Sequence, residues 1–172
     1  ISRRRNRLVH RSSVGAAMHV DHHALWLDPA DSQHYVVGND GGIWWTDDGA
    51  NFTHSLNLPI TQFYAGEVDP ANAARVYGGT QDNNTLKTTS GPSSWFSILG
   101  GDGFHALVDP TNPNIVFSEW QYCCDKTGFR RSTSGGPSGA GTAGWVGTDR
   151  FGWNTPICMS PADHNVLLAG SN

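Results

Sequence analysis

The chain has 172 residues, 37% of them hydrophobic, which suits a folded core and not a disordered segment. Its 21 Gly, 9 Pro and 7 Trp against 15% charged residues favour tight turns and aromatic wedges over long helices, so the composition points to an all-β fold. No apolar run approaches the ~18 residues of a membrane span, and beyond position 11 there are 6 basic against 15 acidic side chains, a balance that repels nucleic acid.

Residues 1–17 contain Arg3, Arg4, Arg5, Arg7 and Arg11 and read as a solvated basic arm or the remnant of a preceding element. The chain opens without Met or a signal peptide, as if trimmed there. From residue 18 onward a short apolar run ending in an acidic or polar residue plus Pro recurs four times, as ALWLDP, AGEVDP, HALVDP and PICMSP. The anchors Asp28, Asp69, Asp109 and Ser160 are spaced by 41, 40 and 51 residues. A period of about 40 is the length of a four-stranded propeller blade. The longer last interval contains the Gly/Ser-rich stretch from Ser132 to Gly144, read as a loop insertion. The expected units lie near 18–58, 59–99, 100–150 and, in part, 151–172, giving about three to four four-stranded blades of a larger β-propeller.

Inside each unit the anchor is followed by four or five turn residues and a second β-rich run: HYVVG, RVYGG or NIVFS. A third and a fourth strand follow, GGIWWT and NFTHS around DDGA, then NTLKTT and SWFSI around SGPS. Asp47 and Phe52 lie five apart, as do Ser90 and Trp95. Of the three cysteines, Cys123 and Cys124 are adjacent and Cys158 stands alone. None has zinc spacing, so they read as buried thiols, with a vicinal bridge as the alternative. No cofactor and no metal is expected.

The segment Thr46-Asp47-Asp48-Gly49-Ala50-Asn51-Phe52 resembles an Asp box, the turn motif of bacterial neuraminidase repeats. There an Asp accepts turn N–H groups, a Gly takes positive φ and an aromatic wedges between sheets. Against that pattern Trp45 stands where Ser is usual, Ser90 replaces the Asp of the second copy, and the insertion breaks the third. Residues 18–172 as a whole resemble the sortilin-like and "glycosyl hydrolase" Asp-box propellers of bacteria, through HVDHHALWLDP, VGNDGGI, LPITQFY, YGGTQDN, GGDGFHALVDP and RFGWNTPICMSP. The resemblance implies a secreted protein, extracellular or in the cell envelope, with the remaining blades of a parent protein as partners. It also implies binding of a glycan or peptide ligand through one face, or, as the alternative, a glycoside hydrolase-like enzyme acting on polysaccharide.

Strand alternation sorts the residues further. The loop entering the first strand of a blade and the loop joining its second and third strands share the top face. That face collects His19, Asp21, His22, His23, Asn39, Asp40, Thr61, Gln62, Gln81, Asp82, Asn83, Asp102, Glu119, Trp120, Gln121 and Asn154, with His105 just inside. A glycosidase needs two carboxyls, one to protonate the leaving oxygen and one to attack or activate water, and Asp21 and Asp102 are the leading pair. The competing reading is that these groups cap strand ends and bond loop amides. His19, Asp21 and His23 alternate and would share one side of an extended strand, as metal ligands or as a hydrogen-bonded cluster. Trp26, Trp44, Trp45, Trp95 and Trp145 read as packing between blades, Trp120 and Trp153 as sugar-stacking platforms. A sialidase is disfavoured, because Arg150 is the only Arg placed near the top face.

Overall fold

A computed structural model of the chain describes residues 18–58, 60–91, 94–123, 128–136 and 149–171. The expected basic arm, Cys124, Trp145 and most of the Gly/Ser-rich stretch lie outside the described residues. The chain divides into two compact units, Ile1–Ile60 and Thr61–Asn172. The first unit holds one sheet of four strands, β1 (His22–Leu27), β2 (Tyr35–Asn39), β3 (Gly42–Thr46) and β4 (Thr53–His54), in that order.

The second unit holds three sheets. One is β5 (Ala65–Val68), β6 (Val76–Gly79), β7 (Thr85–Thr88) and β8 (Trp95–Leu99). The next is β9 (Gly103–Val108), β10 (Val116–Trp120) and β11 (Phe129–Ser132), and the last is β12 (Ile157–Met159) paired with β13 (Leu167–Ala169). All pairings are antiparallel between consecutive strands, and no helix occurs among the described residues. The fold is therefore all-β, with the meandering sheets of β-propeller blades.

One turn is built four times. After β1, β5, β9 and β12 the anchor N–H bonds the carbonyl six residues on: Asp28 to His34, Asp69 to Arg75, Asp109 to Ile115, and Ser160 to Val166, at 2.9 to 3.0 Å. Each anchor side chain also accepts an amide two residues on, from Ala30, Ala71, Thr111 and Ala162. The Asp-Pro pattern is thus an Asx turn, in which the short side chain replaces a missing backbone partner while Pro pre-sets φ. A second turn recurs after the third strand. The hydroxyls of Thr46, Thr88 and Ser132 each accept the amide two residues on, from Asp48, Ser90 and Ser134.

Asp48, and not Asp47, accepts the amides of Ala50 and Asn51, at 2.9 and 2.7 Å. These bonds, that of the Asn51 amide foremost, hold its carboxyl far below the usual range. In the same turn the Thr46 hydroxyl also accepts the Gly49 amide, at 3.0 Å. In the third of these turns the Gly136 amide also donates to Ser132 Oγ.

The core of the second unit consists of Tyr77, Ile98, Ala106, Val108 and Val116, with a second cluster of Phe117, Cys123, Phe129 and Ile157. Between its first two sheets the backbones nearly touch. A Cβ at Gly79 would fall inside the backbone of Gly103 and Phe104, and one at Gly103 inside that of Asn84, so glycine is obligatory at both. The sheets are also pinned through Gly135, whose carbonyl accepts Tyr77 Oη at 3.0 Å and the ammonium of buried Lys87.

Two side-chain settings differ from the sequence-based reading. Trp26 is half exposed, set edge-on against His34, because the whole of β1 is exposed. Cys123 is buried but disulfide-bonded, and Cys158 is an exposed free thiol.

Candidate functional site

Backbone strain locates the site. Four described non-glycine residues adopt left-handed φ: Asp21 (59°), Asp82 (59°), Asn84 (75°) and Tyr122 (57°). Each lies in a loop entering a sheet's first strand or joining its second and third strands. The turns after the third strands place Gly49, Gly91 and Gly135 at positive φ instead. Non-glycine residues held there cost about 1 to 3 kcal/mol each and persist where the surroundings over-determine them, typically at ligand sites.

In the second unit these loops converge on Asp102. Its Oδ1 accepts the Asp82 amide at 2.9 Å, its Oδ2 accepts Trp153 Nε1 at 3.2 Å, and its own amide donates to Gln121 Oε1 at 2.9 Å. Trp153 stands edge-on to Phe104 at 4.7 Å and to Tyr64 at 6.4 Å, and Tyr64 Oη donates to Gln81 Oε1. Phe104 is fully buried and forms the floor, whereas Trp153 and Tyr64 are 37% and 47% exposed. The result is a polar ring of Asp102, Gln81, Asp82 and Gln121 beside two partly open aromatic faces.

Other expected residues fall elsewhere. Glu119 is no loop residue: it lies within β10, fully buried, with Oε1 accepting the His105 amide at 3.2 Å. Burial pushes its pKa up to about 8 against that bond. His105 is half-buried, its pKa lowered by burial against a side-chain bond with Asn154. Trp120 is no open platform, since the Arg130 guanidinium lies over its ring at 5.4 Å. Gln62 is exposed, and Asn83 Nδ2 donates to the Gln81 carbonyl at 3.2 Å within its own loop. Thr61, also expected on this face, is exposed.

In the first unit the histidines do not form the alternating row. Asp21 is left-handed and the β1–β2 register slips between His22 and Ala24, so an extended stretch through His19, Asp21 and His23 is interrupted. His23 pairs instead with Asp40, while Asn39 Nδ2 donates to the His19 carbonyl at 2.8 Å and meets His22 Nδ1 at 3.5 Å. Asn39 thereby ties the segment before β1 to the β2–β3 loop. Asp21 belongs to this unit and Asp102 to the other.

Sequence reasoning missed Tyr64 and Phe104. Tyr64 closes the LPITQFY segment immediately before β5, a loop position that marks it as a lining residue. Phe104 carries no such mark, because its role depends on contacts from Tyr64 and Trp153.

No family model and no curated protein matches the chain. Among solved structures it is similar to an ancestral GH74 enzyme, at 16% identity and a TM-score of 0.49, over 88% of this chain. The chain spans 22% of that enzyme's length.

Proposed function

We propose that the chain is a glycan-binding β-propeller segment, and that the ligand rests on Trp153 and Tyr64 with its hydroxyl groups paired to Asp102, Gln81 and Gln121. The carrying observation is the indole of Trp153, partly open to solvent yet fixed at its Nε1 by Asp102 and held in a T-shaped contact with Phe104. A sugar offers a C–H face to stack on an aromatic ring and equatorial hydroxyls that suit carboxylate and amide groups. Holding those groups in place beforehand lowers the ordering cost of binding.

Binding is favoured over hydrolysis by the state of the carboxyls. Asp102 is held by one hydrogen bond at each oxygen, which leaves lone pairs for a sugar hydroxyl, whereas Glu119, the carboxyl whose pKa would suit a general acid, is sealed from solvent. The turns at Thr46, Thr88 and Ser132 are read as degenerate Asp boxes, structural in role. An extracellular or envelope location is part of the same proposal.

The test is titration calorimetry with a panel of soluble polysaccharides and, in parallel, a peptide library, on wild type and Trp153→Ala, with reducing-sugar release assayed alongside. Saturable glycan binding weakened at least ~10-fold by the substitution, with no sugar release, is the expected result. Peptide binding alone would replace the ligand class, and release lost in Asp102→Asn would favour the hydrolase.

A further inference from the structure

Glu119 is an ionisable group that the proposed site does not touch, yet it lies on β10 two residues before Gln121 of that site. It is 0% exposed, and its Oε2 finds no hydrogen-bond partner among the described residues. Its Oε1 accepts the amide of His105 on β9 at 3.2 Å, and its carbonyl accepts Thr85 Oγ1 on β7 at 3.3 Å. Here the β9–β10 ladder is irregular. Ser118 pairs with Ala106, but Trp120 pairs with Gly103. A bulge leaves a residue without a regular ladder place and re-aims the strand. The carboxyl oxygen takes up the His105 amide at this point.

Two residues later Gln121 accepts the Asp102 amide, and one residue before Gly103 is Asp102 itself. The irregular step therefore aims both partners of that contact. Among the described residues, three neighbouring strands bring polar groups near Glu119. β9 supplies His105, whose burial lowers its pKa and favours the neutral ring, and β7 supplies the uncharged Thr85 hydroxyl. On β11 the guanidinium of Arg130 lies over Trp120. Among the described residues the Glu119 carboxyl meets the His105 amide and no cation; burial raises its pKa and that bond lowers it.

We infer that Glu119 is a positioning residue of the ligand site: as the neutral acid it holds β9 to β10 under the Asp102–Gln121 contact, and on ionising it releases that loop. A buried carboxylate without a counter-charge is costly enough that the strand irregularity would open to hydrate it. Burial places that event at about pH 8, far above the ordinary 4.5. The inference rests on the binding reading for what the loop serves, whereas the latch itself is measurable without ligand.

The test uses the whole chain, isotope-labelled and ligand-free, between about pH 6 and about pH 10 so as to bracket the shifted value. Carboxyl NMR follows Glu119, and amide exchange, corrected for intrinsic rates, follows Asp102 and His105. The expected result is a Glu119 titration near pH 8 with protection of both amides falling at least ~10-fold over the same range, and no such fall in Glu119→Gln. A Glu119 titration at its ordinary value, or unchanged protection while it titrates, would overturn the inference, as would a parallel fall in the Gln variant. If that variant does not fold, the wild-type titration and exchange decide alone. Failure to bind any glycan would overturn the binding reading and leave these results standing.

Discussion

Trp153 Nε1 donates to Asp102 Oδ2 across 51 residues of sequence, at 3.2 Å. The bond joins the segment before β12 to the loop before β9, so one contact fixes both the stacking surface and the carboxylate that would grip a hydroxyl.

Trp153→Phe keeps a ring but removes the donor. The bond is internal to the protein, so its loss weakens binding only by freeing the indole and carboxylate it holds in place, at most about 1 to 1.5 kcal/mol or roughly 10-fold in affinity. Trp153→Ala should cost more, because the stacking surface goes too. Calorimetric Kd values for the two variants, with circular dichroism to confirm folding, check the order.

Gly79 and Gly66 make a matched pair in neighbouring strands. A methyl at Gly79 would collide with the backbone of Gly103 and Phe104, whereas at Gly66 the nearest atom is the Tyr77 carbonyl oxygen at 3.8 Å. Gly79→Ala should destabilise by about 1 to 3 kcal/mol or more through forced separation of β6 and β9. Gly66→Ala should be neutral or slightly stabilising. Urea midpoints of both variants would reveal the contrast.

Asp109 binds its own turn and the next one. It accepts from the Thr111 amide and hydroxyl, both at 2.8 Å, from the Asn112 amide at 3.1 Å and from His164 Nδ1 at 3.0 Å. Burial raises its pKa, but these bonds, Thr111's first, outweigh it and hold the carboxyl at about 2. With the folded value below the ordinary 3.8, its contribution is complete above pH 4 or so and disappears as pH falls toward 2. Asp109→Ala should cost about 2 to 4 kcal/mol at neutral pH and flatten the acid limb of a stability profile.

Glu119 has the opposite sign. Its folded pKa lies above its unfolded value, so between about pH 4.5 and about pH 8 the folded state binds the extra proton, and stability falls as pH rises through that window. The slope from this residue is at most about 1.4 kcal/mol per pH unit. Chemical denaturation at several pH values should show the decline in wild type and its loss in Glu119→Gln.

The repeat was legible because its chemistry is local. An Asx turn needs only the anchor and the next few residues, so Asp28, Asp69, Asp109 and Ser160 declare it in the chain itself. In the third-strand turn, Asp47 and Asp48 are identical in type, and only the path of the turn decides which one faces the amides. Strand alternation grouped the loops that carry Asp102, Asp82 and Gln121, and Asp102 hydrogen-bonds to the other two. Glu119 was misplaced because NIVFS reads as the whole strand, while the irregularity between Ser118 and Trp120 carries β10 on to Trp120. The Trp153–Asp102 bond and the Phe104 floor depend on residues distant in sequence, which no local pattern encodes.

The most direct test of glycan binding is the Trp153 indole N–H resonance, followed while soluble polysaccharides are titrated into the labelled chain. A saturable shift of that resonance, accompanied by the Asp102 and Asp82 amides, is the predicted result. Saturable binding that leaves all three unmoved, or no shift across the panel, would contradict the assignment of the site.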